Sequence, residues 1–188
     1  MKDDLINTFL LTANEAEAFC KAFELKSYSK GSAFLGFGQQ CNQIGFLEKG
    51  LLKCSLLSNG KSVVDDFVFE GQFVASYYSF LKKEPSNKEI VCLKDSRIHV
   101  ISRDRLERLG HTHPFIEQMA KQVSEHLFIK TSEKLQDLQL LNAEERYLKL
   151  LQTNPAALQQ IPQYEIASYL NVSPETVSRI RSKLAIAS

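Results

Sequence analysis

Glycine divides this chain into two unlike parts. Seven of its eight glycines lie between residues 31 and 71, where they separate short runs of β-branched, aromatic and aliphatic residues. Residues 58–61 read SNGK, and an Asn-Gly pair between apolar runs is a strong signal for a tight turn joining two strands. Runs interrupted this often can form only short strands. The sequence therefore predicts a many-stranded β domain, a barrel or a jelly roll, from about residue 27 to 102.

Helical periodicity marks the remainder of the chain. Apolar residues recur at helical spacing in residues 15–26, which predicts an amphipathic helix. Residues 103–110 are predicted to form a short helix and residues 114–140 a long one. After residue 143 the pattern indicates three short helices that close the chain. The predicted fold class is therefore α+β.

One apolar stripe runs along the long predicted helix. Its members step mostly by three or four residues, with a small break near Thr131: Ile116, Ala120, Val123, Leu127, Leu135 and Leu138. Such a stripe either packs against the β domain or forms a seam with a second copy of the chain. The length of the helix and its polar flanks favour the seam, so we expect a homodimer through residues 114–140.

The charge balance restricts where a polyanion could bind. Lysine and arginine total 23 against 22 aspartates and glutamates, which gives a formal net charge of +1. The chain therefore lacks the overall basic excess that attracts nucleic acid or anionic membranes. Any DNA-binding surface must be local.

Cysteines and histidines are scattered without the spacing of a metal or iron–sulfur site. The chain has four of each, with no CxxC pair, no HExxH and no histidine at ligand spacing from a cysteine. We expect free thiols and no metal. The chain also has no GxSxG, P-loop or Rossmann fingerprint, so we expect no enzyme activity.

The N-terminal residues do not resemble a signal peptide. Acids stand at positions 3 and 4, and Asn7 and Thr8 interrupt the apolar stretch. No segment approaches the roughly 18 apolar residues that a membrane-spanning helix needs. We expect a cytoplasmic protein.

The segment YEIASYLNVSPETVSRI, residues 164–180, has the pattern of two helices joined by a tight turn. Its inward residues and those just beyond it are predicted to be Ile166, Ala167, Leu170, Val172, Val177, Ile180 and Leu184. Ala167 is small where two steeply crossed helices would come closest. Asn171 stands at the turn, and asparagine tolerates a left-handed backbone. The pattern predicts a helix-turn-helix.

The opposite face of the second helix is polar, with residues at i, i+3, i+4 and i+7: Glu175, Ser178, Arg179 and Ser182. A DNA major groove admits one helix, in which arginine can donate twice to guanine and glutamate can accept from cytosine. Ser173 and Thr176, near free N–H groups at the helix start, could hold a phosphate. Alternatively, Glu175 and Arg179 form only a surface ion pair. The small alanine, the short turn and the buried alternation favour DNA recognition.

Two segments of the chain resemble one known family. Residues 161–184, IPQYEIASYLNVSPETVSRIRSKL, are similar to the helix-turn-helix of the Crp/Fnr family of bacterial transcription regulators. Residues 30–73, KGSAFLGFGQQCNQIGFLEKGLLKCSLLSNGKSVVDDFVFEGQF, are similar to its cyclic-nucleotide-binding-type barrel, with glycines at the expected turns: Gly31, Gly38, Gly50, Gly60 and Gly71. The resemblance implies an effector-type β-barrel or jelly-roll domain with an N-terminal helix in residues 1–112, a dimerisation helix in 113–140 and a helix-turn-helix domain in 141–188.

The resemblance also implies roles for particular residues. Glu175, Ser178 and Arg179 match the E-x-x-S-R pattern with which the Fnr-like branch reads TTGA-type half-sites. Pro174 stands where the cyclic-AMP receptor branch has an arginine. The implied contacts to the DNA backbone are Ser173, Thr176, Ser182 and Lys183. The implied partners are double-stranded DNA with an inverted repeat, a second copy of the chain and RNA polymerase. Because the sequence stops at residue 188, directly after the helix, we expect the family's β wing to be absent.

The family's phosphate cassette is only partly matched. There, a Gly-Glu-Leu stretch binds the ribose hydroxyl and an Arg-Ser or Arg-Thr pair meets the cyclic phosphate. Here Gly71 is followed by Gln72 and Phe73, and residues 85–87, Pro-Ser-Asn, replace the arginine pair. A buried phosphate without a paired cation is poorly compensated, so Lys82 or Lys83 would have to turn inward. Cyclic AMP binding of the family's kind is therefore disfavoured.

Two interpretations of the barrel remain open. In the first, it holds another small effector, or a cyclic nucleotide in a different manner. The candidate pocket residues are Gly71, Gln72, Ser76, Tyr77, Tyr78, Ser86 and Asn87. In the second, Tyr77, Tyr78 and Phe80 fill the barrel, which then signals without a cyclic nucleotide. The iron–sulfur sensing of true Fnr proteins needs a cysteine cluster that this sequence lacks.

A module of the same fold with little DNA affinity is the alternative function. It would sense a ligand or bind a protein. Residues 141–188 hold five basic and four acidic residues, and a missing wing would weaken anchoring to the DNA backbone. Steeply salt-dependent DNA binding would support the regulator, because phosphate contacts release counterions. The sequence favours a homodimeric transcription regulator.

Overall fold

The computed structural model describes residues 1–153, 155 and 159–186, and within them the chain forms eight strands and eight helices. The strands are β1 (Glu24–Tyr28), β2 (Ala33–Leu35), β3 (Gln43–Lys49), β4 (Leu52–Ser58), β5 (Lys61–Val68), β6 (Phe73–Val74), β7 (Lys88–Cys92) and β8 (Ser96–Ser102). The helices are α1 (Lys2–Phe9), α2 (Ala13–Lys21), α3 (Tyr77–Lys82), α4 (Arg103–Thr112), α5 (Phe115–Leu140), α6 (Ala143–Thr153), α7 (Gln163–Leu170) and α8 (Pro174–Ile186).

The strands form two antiparallel four-stranded sheets, which confirms the predicted many-stranded β domain. One sheet has the order β1-β8-β3-β6 and the other β2-β7-β4-β5. The predicted turn joins β4 to β5, with Asn59 and Gly60 at φ angles of 51° and 75°. The barrel core contains residues from both sheets and from α3, including Phe34, Leu47, Leu52, Val74, Phe80, Ile90 and Ile98. The α+β fold class is also confirmed.

The N-terminal region differs from its prediction. Instead of one helix over residues 15–26, α2 ends at Lys21 and β1 begins at Glu24, which pairs with Val100 of β8. Helix α1 precedes α2 and had no counterpart in the prediction. The prediction failed because pairing of β1 with β8 is a non-local interaction that helical periodicity does not report.

Helices α1, α2 and α5 share a small core. Its fully buried members are Leu5, Phe9, Leu11, Ala16, Phe19, Phe115 and Met119. Ile116 and Val123 of the predicted stripe pack against the same core. Ala120, between them, is exposed. The first half of the stripe therefore packs partly within the chain, contrary to a continuous seam. The second half of α5 presents exposed apolar side chains: Phe128, Ile129, Leu135, Leu138 and Leu140. No helix in the described part of the chain is both long and apolar enough to cross a membrane.

A third core joins the barrel to the helices at the end of the chain. The barrel contributes Leu51, Val64, Phe67 and Phe69. The helical part contributes Tyr147, Leu150, Ile161, Ile166, Ala167, Leu170, Val177 and Ile180. Because β5 is an edge strand of its sheet, this packing covers an edge that would otherwise face solvent. The barrel and the terminal helices therefore share a continuous hydrophobic core.

Gly50 lies at a close approach between the β3–β4 turn and β8. Its φ angle is 120°, and a Cβ there would lie 2.2 Å from the Ser96 Oγ and 2.9 Å from the Ser96 Cα. The second contact is with backbone, which cannot rotate away as a side chain can. Gly60 also has a positive φ angle, 75°, but nothing lies within 4 Å of the place where its Cβ would be.

We predict that Gly50→Ala destabilises the protein much more than Gly60→Ala. Both changes place a side chain in backbone conformations that glycine prefers, which costs about 1 kcal/mol or slightly more. Gly50→Ala adds a steric clash, so its free energy of unfolding should fall by about 3 kcal/mol in total. Urea unfolding of both variants measures the difference. Equal losses would contradict the close approach at Ser96.

Candidate nucleic-acid interface

Helices α7 and α8 form the predicted helix-turn-helix, with a turn of three residues between Leu170 and Pro174. Asn171 adopts a left-handed backbone, with φ 55° and ψ 47°. Asparagine here takes the place of the glycine that commonly ends a helix in this conformation. The Val172 N–H donates to the Ala167 carbonyl oxygen at 3.0 Å, which satisfies one of the last free carbonyls of α7. The local chemistry of the turn is therefore as the sequence predicts.

The inner face of the two helices is buried as predicted. Ile166, Ala167 and Leu170 of α7 are almost fully inaccessible to solvent. Val177 and Ile180 of α8 are buried in the same core. Val172 and Leu184 are partly buried against it. Because the inner face is fixed in this way, the opposite face of α8 must point outward.

Ser173, just before α8, caps the first turn of this helix. Its Oγ accepts a hydrogen bond from the Thr176 N–H at 3.3 Å. The Ser173 hydroxyl, the backbone N–H of Glu175 and, more weakly, the Arg179 charge lower the pKa of the Glu175 carboxyl below its usual value. Glu175 is therefore ionised at neutral pH and can only accept hydrogen bonds. Ser173 is thus partly engaged in the helix start, where a phosphate contact was predicted.

The outer face of α8 is exposed and carries the predicted base-contacting residues: Glu175, Ser178 and Arg179, with Ser182 one turn further. Among the ion pairs of the described residues, none joins Glu175 to Arg179. The Arg179 guanidinium instead donates to the Thr176 Oγ1 at 3.2 Å. The surface ion pair that was the alternative explanation of this spacing is therefore not formed.

Two further basic residues of α8 have partners within the chain. The Lys183 Nζ lies 2.8 Å from the Glu144 Oε1 and Oε2 of α6. The Arg181 Nε donates to the Tyr147 hydroxyl at 3.1 Å. A phosphate contact by Lys183 would therefore have to compete with Glu144 in an exposed ion pair, which is a weak competitor.

The candidate effector residues do not converge on one space. Ser76 and Ser86 are buried and hydrogen-bonded to each other, with their Oγ atoms 2.8 Å apart. The Tyr77 hydroxyl is 2.9 Å from the Ser124 Oγ of α5. The remaining candidates are exposed: Gly71, Gln72, Tyr78 and Asn87. Of the predicted pocket residues, the structure therefore brings only Ser76 and Ser86 into contact with each other in the barrel interior. The others do not join them in a shared pocket.

The cations around this segment do not fit a cyclic phosphate. Lys82 and Lys83 are exposed and do not turn inward. Lys88 lies 2.6 Å from the Asp65 carboxylate. Arg103, which the sequence analysis missed, donates to the carbonyl oxygens of Cys41 and Phe80. It also lies 4.0 Å above the Phe80 ring. Because these cations are exposed or already engaged, the described residues do not fit a cyclic nucleotide bound through a buried ion pair.

Family comparison identifies the barrel. Residues 25–113 match the family model described as the cyclic nucleotide-binding domain. No curated protein matches the chain in sequence.

Solved structures share the fold of the chain at low sequence identity. The c-di-GMP-responsive global regulator CLP of Xanthomonas campestris has a TM-score of 0.72 and 17% identity, with 94% of this chain and 93% of that chain covered. FixK2 of Bradyrhizobium japonicum has a TM-score of 0.72 and 18% identity, with 88% and 85% covered. A putative transcriptional regulator of the Crp/Fnr family from Eubacterium rectale has a TM-score of 0.63 and 15% identity, with 97% and 87% covered. Residues 25–113 are therefore similar to the cyclic nucleotide-binding domain, and the chain shares its fold with these three proteins, one of them a putative transcriptional regulator of the Crp/Fnr family.

Proposed function

We propose that the protein is a sequence-specific DNA-binding transcription regulator that acts as a homodimer on an inverted repeat. One observation carries the proposal. Helix α8 buries one face in the core of the helix-turn-helix and exposes Glu175, Ser178 and Arg179 on the other. A helix presented in this way fits a DNA major groove. The shared fold of Crp/Fnr transcription regulators supports the same conclusion.

Each exposed side chain on α8 has a chemical role in this proposal. The Arg179 guanidinium donates to guanine O6 and N7, and the ionised Glu175 accepts from cytosine N4. Ser178 contacts an adjacent base. Ser173, Thr176, Ser182 and Lys183 contact phosphates and fix the position of α8 in the groove. Thr176, on the same helix, also accepts a hydrogen bond from the Arg179 guanidinium. This contact restricts Arg179 before binding, so less side-chain entropy is lost when DNA binds.

A second copy of the chain is the proposed partner of α5. Phe128 and Leu135 are 74% and 57% exposed, and they lie one heptad apart on the same helical face. Leu138 continues this face. An exposed apolar row on a long helix is typical of a dimer seam, because burial of such a row is the main favourable term in association. Two α8 helices related by two-fold symmetry would then meet an inverted repeat.

The barrel is proposed to transmit a signal without a cyclic nucleotide bound in the family's usual manner. Ser76 and Ser86 satisfy each other, and Arg103 is bound to two carbonyl oxygens. A small effector would have to displace one of these contacts. The interaction module with little DNA affinity is a second candidate. It is supported by the ion pair of Lys183 with Glu144, which reduces the positive charge beside α8.

We predict that Leu135→Glu converts the protein to a monomer. The side chain is exposed within one copy, so the fold should tolerate the change, whereas two carboxylates buried at a seam should oppose association. Sedimentation measures the molecular mass. Gln136→Glu is the control and should leave the dimer intact, because Gln136 is exposed and lies about 100° around the helix from Leu135. A dimeric Leu135→Glu variant would contradict the seam.

Selection of bound sequences from random duplex DNA tests the proposed function directly. We expect an inverted repeat with TTGA-like arms, recovered equally with and without cyclic AMP. Binding to the recovered duplex should weaken steeply with added salt. Failure to recover any consensus at low salt would contradict the regulator and favour the interaction module. If DNA binding required cyclic AMP, the proposal that the barrel signals without this nucleotide would be contradicted.

We predict that Arg179→Ala lowers the free energy of specific binding by about 1–3 kcal/mol and relaxes the preference at one guanine. Arg179→Lys keeps the charge but loses the two-pronged donor geometry, so it should lose most of the same preference. Lys183→Ala should weaken binding to all sequences alike. Titration of specific and random duplexes measures each change. Equal losses on both duplexes for Arg179→Ala would contradict base recognition by this residue.

A further inference from the structure

The first helix of the helix-turn-helix lies directly against the edge strand of the barrel. The Val64 N–H of β5 donates to the Ser168 Oγ of α7 at 3.0 Å. The rings of Phe67 and Tyr169 pack with their centroids 5.6 Å apart. An edge strand has N–H groups that no neighbouring strand can satisfy, and here a side chain of α7 satisfies one of them.

A buried ion pair fastens the same helix to the neighbouring strand. Lys53 of β4 and Glu165 of α7 are 112 residues apart in the chain, and the Lys53 Nζ donates to the Glu165 Oε1. Their side chains are only 20% and 5% exposed. A buried charge is costly unless its partner is present with good geometry. Displacement of α7 along the barrel would separate the pair and leave Glu165 without compensation.

A second charged contact lies beside Tyr169 of α7. The Lys134 Nζ of α5 binds the Asp65 carboxylate of β5 and lies 6.0 Å from the centroid of the Tyr169 ring. Burial alone would raise the pKa of Asp65, but the charges of Lys88 and Lys134 outweigh it and lower this pKa. Burial raises the pKa of Tyr169 to about 12, so its hydroxyl stays neutral. Helix α5, strand β5 and helix α7 therefore meet at one charged junction.

We infer that Lys53 and Glu165 are positioning residues for DNA recognition, because they hold the helix-turn-helix in one orientation on its own barrel and thereby set the separation of the two recognition helices in a dimer. This inference rests on the proposed function. The hydrophobic contacts between the same elements are non-directional and would tolerate small displacements. The ion pair and the Ser168 hydrogen bond are directional, so small displacements of α7 would weaken them.

The consequence for DNA binding is selectivity for half-site spacing. A rigid dimer accepts half-sites at one centre-to-centre separation, about one helical turn or roughly 10 base pairs. A loosened helix-turn-helix can follow half-sites that are moved apart or together. Contacts between α8 and a single half-site involve neither Lys53 nor Glu165, so their strength should be unchanged.

The test uses duplexes that carry the two selected half-sites at separations changed in steps of one base pair. The full-length wild-type protein should lose about tenfold in affinity for one step, which corresponds to about 1.4 kcal/mol. The affinity of Lys53→Met should fall by less than about threefold for the same one-base-pair change in separation. Its affinity for a duplex with one half-site should equal that of the wild type. Lys26→Met is the matched control. Lys26 lies 3.7 Å from Glu24 in an exposed ion pair on β1, and its removal should leave the spacing profile unchanged.

A second variant separates positioning from stability. Lys53→Met combined with Glu165→Leu replaces the buried pair by apolar groups, which commonly restores stability. We expect its melting temperature to return toward that of the wild type while the spacing profile stays broad. A spacing profile of Lys53→Met or of the double variant that is as narrow as the wild type's would overturn the inference.

A measurement without DNA distinguishes failure of this inference from failure of the proposed function. If the wild type selects no duplex, the proposed function fails. Nitrogen-15 relaxation then reports whether the barrel and residues 163–184 tumble together. A single correlation time in the wild type and faster motion of the helix-turn-helix in Lys53→Met would support the fixed orientation. Independent motion in the wild type, or no change in the variant, would overturn it.

Discussion

Packing of helix α7 against strand β5 is the interaction on which the rest of this structure depends. The barrel leaves the edge of β5 open, and the helix-turn-helix is too small to bury its own apolar residues completely. The core formed by Val64, Phe67, Ile166 and Leu170 solves both problems at once. It also decides which face of α8 is inside, because Val177 belongs to the same core. Exposure of the face of α8 that carries Glu175, Ser178 and Arg179 is therefore a consequence of how the barrel edge is covered.

The parts of the fold that the sequence predicted are those with strong local signals. Asn59 and Gly60 form the turn between β4 and β5 because both adopt positive φ angles at little cost. Asn171 ends α7 for the same reason, and Pro174 begins α8 in a position that needs no backbone donor. Each of these residues acts on its own backbone within a few positions. The helix-turn-helix and the exposed residues of α8 could therefore be predicted from the sequence.

The parts that the sequence did not predict depend on contacts between distant residues. Residues 24–26 belong to the predicted helix but form the start of β1, because β8 offers them hydrogen bonds. Arg103 looks like an ordinary first residue of a helix, yet its guanidinium holds the carbonyl oxygen of Phe80. The stripe on α5 divides near Val123, because only its first half meets the N-terminal helices. Nothing in the local pattern reports these partners.

The location of β4 and β5 within their sheet gives the barrel a direct connection to the helix-turn-helix. Strand β4 pairs with β7 on one side and with β5 on the other. Lys88 of β7 and Lys134 of α5 share the Asp65 carboxylate, so a displacement of β7 changes the charge balance at the junction that holds α7. Ser86, two residues before β7, is hydrogen-bonded to Ser76, the residue just before α3. An effector that separated Ser76 from Ser86 would therefore act beside β7, which carries both a barrel core residue, Ile90, and the Lys88 that binds Asp65. The barrel and α7 are therefore linked by short contacts alone: the Asp65 carboxylate binds Lys88 of β7 and Lys134 of α5, and Lys134 lies near the Tyr169 ring of α7.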